Sequence, residues 1–151
     1  MQIIYGEMFD KYQYQNTDVF LVTGNSYINS FGELVMGRGA ALQLKQLAPA
    51  LPKIFGSLIE QYYGHLQEYN LIIIKLLHDV GVFQVKTHFK SKADLRLIER
   101  SVFKLHQYAR LFPWRHIVMN YPGIGNGGRT REEVEPLIKT LPDNVHIYLQ
   151  Q

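Results

Sequence analysis

The 151-residue sequence contains no cysteine. This absence excludes a disulfide scaffold, a cysteine nucleophile and a zinc site built on thiolates. It is also typical of a reducing compartment, so we expect a cytoplasmic protein. A chain of this length can bury enough apolar surface to fold without a disulfide or a metal ion.

Long apolar runs are also missing from the sequence. The longest aliphatic run is the segment LIII at 71–74, far short of the ~20 residues that a membrane span needs. The start, MQIIYGEMFD, lacks the basic and apolar regions of a signal peptide, and none is expected. Sixteen Lys and Arg residues against thirteen Asp and Glu residues give a net charge of +3. This charge is compatible with an anionic ligand but does not by itself predict a duplex-DNA surface. A monomer is the default expectation.

The motifs of several chemical sites are absent as well. The six histidines lie at least ten residues apart and form neither H-x-x-x-H nor H-x-E, so no metal site is predicted. The G-x-S-x-G turn of serine hydrolases and the Gly-Lys-Ser/Thr sequence of phosphate-binding P-loops do not occur. The sequence therefore predicts no metal and no cofactor.

Apolar runs of strand length alternate with apolar stripes of helical spacing. The pattern predicts strands at residues 1–5, 19–23, 70–77, 82–86, 116–121 and 145–149, with 70–77 as a central strand. Helices are predicted from about Arg38 to Leu47, over Leu51–Tyr62, from Asp94 through Ala109 and from Thr130 to about Leu141. This alternation favours an α/β fold with a largely parallel sheet, formed by a single domain over residues 1–151.

Eight of the twelve glycines fall in two short windows, each after a predicted strand and before a predicted helix. The windows contain Gly24, Gly32, Gly37 and Gly39, and then Gly123, Gly125, Gly127 and Gly128. Glycine lets backbone amides approach a ligand closely, and a helix N-terminus attracts negative charge. If both strands are parallel, the two loops open at the same edge of the sheet and together suit a diphosphate. Arg38 and Arg129 add one cation to each loop.

The segment GIGNGG at 123–128 also matches the dinucleotide-binding pattern G-x-G-x-x-G. However, only 23 residues follow Gly128, and that pattern belongs to the first turn of a longer βαβ unit. Its acidic partner would have to be Asp143, which lies before the last predicted strand rather than after it. We therefore reject a Rossmann domain.

Five segments together resemble the macro domain, a small α/β fold that binds ADP-ribose. They are GEM at 6–8, VFLVTGN at 19–25, MGRGAALQLK at 36–45, GVFQVKTHFKSKADLRLIERS at 81–101 and YPGIGNGG at 121–128. The resemblance covers nearly the whole chain. It is strongest to the branch of DNA- and glutamate-directed ADP-ribose hydrolases. It implies a three-layer domain, with a mixed, mostly parallel sheet and helices on both faces.

The resemblance implies a role for each matching residue. Glu7 would contact the adenine amino group beside Met8, and Asn25 would face the distal ribose. Tyr148 would be either an adenine-side contact or an aromatic at the rim. The residues implied to surround the diphosphate are Met36, Gly37, Arg38, Gly39, Ala40, Gly123, Ile124, Gly125, Asn126, Gly127 and Gly128.

The resemblance also implies candidates for catalysis. Lys45 is the best match to the lysine that attacks the ribose in this branch, Lys53 is a second choice, and Asn25 is a further candidate. A lysine is nucleophilic only when it is neutral, so it needs burial or a neighbouring cation. The aspartate that the branch carries after the second glycine loop is missing, because Gly128 is followed by Arg129 and Thr130.

Three classes of function therefore stay open. The chain binds ADP-ribose or a related nucleotide, or it is a hydrolase that removes ADP-ribose from DNA or protein or a phosphatase that acts on ADP-ribose phosphate. The third class is a nucleic-acid-binding module, suggested by a pI near 9.1, ten tyrosines and a basic patch at Lys86, Lys90 and Lys92 around His88.

Overall fold

One six-stranded sheet forms the centre of the computed structural model, which describes residues 1–10, 14, 17–76 and 78–150. The strands are β1 (Gln2–Tyr5), β2 (Val19–Gly24), β3 (Leu71–Lys75), β4 (Asp79–Gln84), β5 (Ile117–Asn120) and β6 (Val145–Leu149). Their order across the sheet is β1-β6-β5-β2-β4-β3. All neighbouring strands are parallel except β3, which runs antiparallel to β4.

The position of β3 corrects the prediction of a central strand at 70–77. Among the described strands, β3 pairs only with β4 and forms an edge of the sheet. Its run of apolar residues arises because both of its faces are partly covered. Leu71 and Ile73 pack against the hydrophobic cluster on one face of the sheet, and Ile72 and Ile74 belong to the cluster on the other face. A continuous apolar run therefore does not distinguish an edge strand from a central one.

Helices cover both faces of the sheet and produce three layers. The helices among the described residues are α1 (Gly39–Leu47), α2 (Leu51–Tyr62), α3 (Leu95–Leu111) and α4 (Arg131–Ile138), with a 3₁₀ turn at Gly125–Gly127. Side chains of α3 and α4 join one hydrophobic cluster, and side chains of α1 and α2 join the other. The predicted α/β domain with helices on both faces is confirmed, although α4 ends at Ile138 rather than at Leu141.

Side chains cap the N-termini of α3 and α4. The Asp94 carboxylate accepts hydrogen bonds from the Arg96 and Leu97 amides. Thr130 and Glu133 form a reciprocal capping box at the start of α4, which satisfies amides that have no partner inside a helix. No described helix is long and apolar enough to cross a membrane.

The buried Gln84 side chain joins three segments at the end of β4. Its Oε1 accepts hydrogen bonds from the Tyr69 and Asn70 amides at 2.8 and 2.9 Å. Its Nε2 donates to the Gln67 carbonyl at 3.0 Å and to Ser26 Oγ at 3.2 Å. Nε2 also donates to the Lys86 carbonyl at 3.2 Å. Because every polar atom of this buried amide has a partner, the network joins the loop after β2, the segment before β3 and the chain after β4.

Candidate functional site

A cleft of about 460 Å³ opens at the carboxyl ends of β2, β4 and β5. Both glycine loops line it, together with the chain that follows β4. Its lining residues are Thr23, Gly24, Asn25, Val35, Met36, Gly37, Arg38, Gly39, Ala40, Ala41, Val85, Lys86, Phe89, Lys90, Asn120, Gly123, Ile124, Asn126 and Gly127. The parallel arrangement of β2 and β5 causes this convergence, because parallel strands end at the same edge of a sheet.

Asn25 anchors the first glycine loop from inside the cleft. Its side-chain Nδ2 donates to the Val35 carbonyl at 3.0 Å, and its Oδ1 accepts from the Tyr27 amide at 2.9 Å. The side chain is 6% exposed. The amide of Asn25 therefore ties the end of β2 to the residue that precedes Met36, and it sets the position of the whole loop.

The N-terminus of α1 faces the cleft without a side-chain cap. Arg38 occupies the N-cap position, its backbone is extended, and no side chain accepts a hydrogen bond from the first turn. Its guanidinium is exposed at the cleft. The free amides of the first turn and the positive end of the helix dipole create a site that attracts an anion.

The second glycine loop is a tight turn held by its own backbone. The Gly127 and Gly128 amides donate to the Ile124 and Gly125 carbonyls, and the Arg129 amide donates to the Gly123 carbonyl at 2.8 Å. Gly123, Gly125 and Gly128 all have positive φ angles, which glycine adopts without strain. Within the described part of the chain, the Ile124 and Asn126 amides have no backbone acceptor, so they are available to a ligand.

The two loops approach each other closely across the cleft. A Cβ atom at Gly39 would lie 3.2 Å from Asn126 Nδ2, and the φ of Gly39 is +57°. Glycine at position 39 therefore allows both the left-handed backbone and the narrow gap between the loops.

Cations concentrate on the β4 side of the cleft. Lys86 and Lys90 line it together with Arg38. Burial lowers the pKa of the Lys86 ammonium, and the positive charge of Arg38 lowers this pKa further. Lys86 is therefore a partly buried cation of the cleft whose pKa lies below the ordinary lysine value.

Neither a protein-family model nor a curated protein sequence matches this chain significantly. Solved structures do. The macrodomain of Thermus aquaticus DarG aligns with a TM-score of 0.72 at 18% identity, covering 99% of this chain and 97% of its own. The macrodomain of Mycobacterium tuberculosis DarG aligns with a TM-score of 0.71 at 24% identity, covering 97% of both chains.

The chain has the macrodomain fold. A third match, Thermosipho africanus DarTG in complex with ADP-ribose, has a TM-score of 0.71 at 18% identity and covers 94% of this chain and 40% of that longer one. These alignments span nearly the whole sequence, so the likeness in fold covers the entire domain.

Within this macrodomain fold, ten of the predicted site residues line the cleft. They are Asn25, Met36, Gly37, Arg38, Gly39, Ala40, Gly123, Ile124, Asn126 and Gly127. Gly125 and Gly128 shape the second loop without lining the cleft. Arg129 serves the same loop, since its Nε donates to the Ala93 carbonyl at 2.6 Å and its Nη1 contacts Glu133 at 3.2 Å.

The other predicted residues lie outside the cleft lining. Glu7 is exposed, and its Oε1 accepts a hydrogen bond from Gln150 Nε2 at 2.6 Å. Met8 is buried in the cluster beneath α1 and α2, and Tyr148 packs against that cluster. Lys45 is exposed in the last turn of α1, and Lys53 donates to the Phe31 carbonyl at 2.6 Å.

Several residues that line the cleft were not predicted from the sequence as ligand contacts. Asn120 and Thr23 pair through their polar atoms at 2.8 and 3.0 Å, joining the ends of β5 and β2. Val85, Lys86 and Phe89 follow β4 directly. A signal was present, because 82–86 was a predicted strand and ligands bind at strand ends. Only the pairing of β2 with β4 brings that end to the cleft.

Proposed function

We propose that the cleft binds ADP-ribose or a closely related ADP-ribosyl nucleotide. The observation that carries the proposal is the closure of two glycine loops on one cleft, with the uncapped start of α1 on one side and free amides on the other. The ligand reported for the structurally similar DarTG of Thermosipho africanus supports the same choice.

The charge and the volume of the cleft suit such a ligand. A diphosphate carries negative charge on two adjacent groups, and Arg38, Lys86 and Lys90 surround the loops with positive charge. The volume lies within the range of about 300–1,000 Å³ that small-molecule sites occupy. We assign Glu7, Met8 and Tyr148 to the adenine side, where Glu7 would exchange its hydrogen bond with Gln150 for one with the adenine amino group.

Calorimetric titration with ADP-ribose tests the proposal, with AMP, NAD and NADP as comparisons. We expect ADP-ribose to bind and AMP to bind more weakly, because AMP lacks the second phosphate. Arg38→Gln removes one charged contact and should weaken ADP-ribose binding by about tenfold or more. The control is Lys139→Gln, which removes an exposed lysine beyond α4. Absence of ADP-ribose binding at millimolar concentration would contradict the proposal and leave the fold unaffected.

A second candidate function, removal of ADP-ribose from a macromolecule, is favoured by one specific observation. Lys86 lines the cleft with a lowered pKa. In its neutral form, Nζ would attack the ribose carbon that bears the leaving group. The bond to that group would break, and the group would leave with the electron pair and take up the proton that Nζ loses. Water would then hydrolyse the lysine–ribose adduct, which releases ADP-ribose and restores the amine. Lys86 replaces Lys45 in this hypothesis, because Lys45 is exposed and outside the cleft lining.

Incubation with ADP-ribosylated DNA and ADP-ribosylated protein tests this second function, and incubation with ADP-ribose phosphate separately tests for phosphatase activity. We expect Lys86→Arg, which keeps the charge, to lower any cleavage at least 100-fold, whereas Lys45→Ala leaves it unchanged. The neutral amine is the reactive form, so the rate should rise with pH. Because the Lys86 pKa is lowered, the rise should occur below the usual lysine range near ~10.4. Full activity of the Lys86→Arg variant would exclude the lysine mechanism. If the wild-type protein cleaved none of the substrates, the second function would be contradicted and only the binding proposal would stand.

A further inference from the structure

The excess of positive charge is concentrated in one segment. Residues 86–104, called here the basic segment, contain six Lys or Arg residues and two acidic residues, whereas the excess over the whole chain is only three. The remainder of the chain is therefore slightly acidic. Such a distribution is typical of a surface that meets a polyanion rather than of a uniformly solvated protein.

A second cavity, of about 470 Å³, lies on the outer side of α3 beside the start of β3. This outer groove is lined by Asn70, Arg96, Glu99, Arg100, Phe103 and Lys104. Arg96, Arg100 and Lys104 are four residues apart, so they form a row along one side of α3 with a rise of about 6 Å between neighbours. It shares no lining residue with the cleft.

Two of these cations are held in position by their neighbours. Lys104 Nζ donates to the Tyr69 carbonyl at 2.9 Å, and Arg100 Nη1 contacts the Glu68 carboxylate at 2.5–2.7 Å. Glu68 and Glu99 offset two positive charges, which leaves a surplus of one at the groove.

An exposed aromatic ring accompanies the cations of the outer groove. Phe103 is 65% exposed although it belongs to the middle of α3. Asn70 lies across from it, and its Nδ2 is buried without a hydrogen-bond partner among the described residues. Exposed rings next to cations are typical of proteins on which the bases of single-stranded nucleic acids stack.

The basic segment connects the outer groove to the cleft. Lys86 and Lys90 line the cleft, and Lys92 lies against the second glycine loop, where a Cβ at Gly128 would be 3.2 Å from Lys92 Cγ. Arg96, four residues after Lys92, lies in the first turn of α3 and lines the outer groove. Positive side chains are therefore present from the cleft to the far end of the groove.

We propose that the outer groove and the adjoining part of the basic segment bind single-stranded nucleic acid. Arg96, Arg100 and Lys104 contact successive phosphates, and Phe103 stacks on a base. An acidic peptide would satisfy the cations but offers no planar base for Phe103 to stack on. The inference goes beyond ADP-ribose binding, because it concerns an unmodified strand at a surface outside the cleft.

Fluorescence anisotropy with a labelled 12-nucleotide oligo-dT strand tests the proposal. We expect the wild-type protein to bind the strand. The logarithm of its binding constant should fall as the logarithm of the salt concentration rises, with a slope of about 0.7 per phosphate contacted. Phe103→Ala should weaken binding about fivefold or more with an unchanged slope. Arg96→Glu should weaken binding and reduce the slope. An acidic residue is favourable in the first turn of a helix, so this variant should fold normally.

Two matched controls and two competitors complete the test. Phe31→Ala removes an equally exposed ring near α2, and Lys139→Gln removes an exposed lysine; both should bind the strand like the wild type. No binding at low salt would overturn the proposal. The proposal would also be overturned if polyglutamate, or a duplex of equal length, competed with the labelled strand as effectively as the unlabelled strand does. Arg96→Glu should still bind ADP-ribose normally, so failure of this proposal and failure of the ADP-ribose proposal give different results.

Discussion

Replacing Gly56 by alanine should lower the free energy of unfolding by about 2–3 kcal/mol. A Cβ at Gly56 would overlap the Gly32 carbonyl oxygen and lie 2.9 Å from the Leu34 amide nitrogen and 3.0 Å from Glu33 Cα. All three atoms belong to backbone, so no side-chain rotation relieves the overlap. The higher helix propensity of alanine would stabilise the protein by only about 1 kcal/mol. The steric overlap costs more than this, so the net effect of the substitution is destabilising.

Urea unfolding of Gly56→Ala measures this effect, and Ser57→Ala is the control. Ser57 is the next residue of α2 and is exposed, so its replacement should change stability by less than about 0.5 kcal/mol. Gly56→Ala should also weaken ADP-ribose binding, because Gly32–Leu34 belong to the loop that leads into Met36 and Gly37. A stabilised Gly56→Ala variant would show that α2 does not press against this loop.

Substituting Gly37 by residues of increasing size should abolish ligand binding without affecting the fold. A Cβ at Gly37 meets no atom within 4 Å, and its backbone φ is not in the positive range. Because Gly37 lines the cleft, a leucine side chain there would occupy the space between the loops. We expect Gly37→Leu to weaken ADP-ribose binding at least 100-fold, while the free energy of unfolding stays within about 0.5 kcal/mol of the wild type.

The series Gly37→Ala, Gly37→Val and Gly37→Leu provides its own control. Calorimetry should show affinity falling with side-chain size, and urea unfolding should give one common stability. If Gly37→Leu binds ADP-ribose like the wild type, the first glycine loop does not enclose the ligand. The proposed site would then have to be moved elsewhere.

Much of the fold is predictable from local sequence signals. The strand at 145–149 and the helix at Leu51–Tyr62 have the predicted bounds, because their periodic apolar residues face a core. Thr130 and Glu133, three residues apart, form a capping box, which is likewise encoded by neighbouring residues. The edge position of β3 was not predictable, since strand order depends on hydrogen bonds between residues far apart in sequence.

The candidate site also has parts that the sequence predicts and parts that it does not. The glycine loops were predictable, because glycine clusters after strands reflect a local backbone requirement. Lys86 was recognised only as part of a basic patch. Its place in the cleft depends on β4 pairing with β2, and its lowered pKa depends on burial and on Arg38. Lys45 matched a motif, but the rotation of α1 leaves it in solvent.

By itself, the sequence determined an α/β domain with two glycine loops after strands, because periodicity and backbone freedom are properties of neighbouring residues. Only the tertiary structure decided which cations share the cleft, and that Gly56 is required by the backbone packed against α2. It also decided that α3 presents Phe103 to solvent within a row of cations. These properties depend on distances between segments that no local pattern encodes.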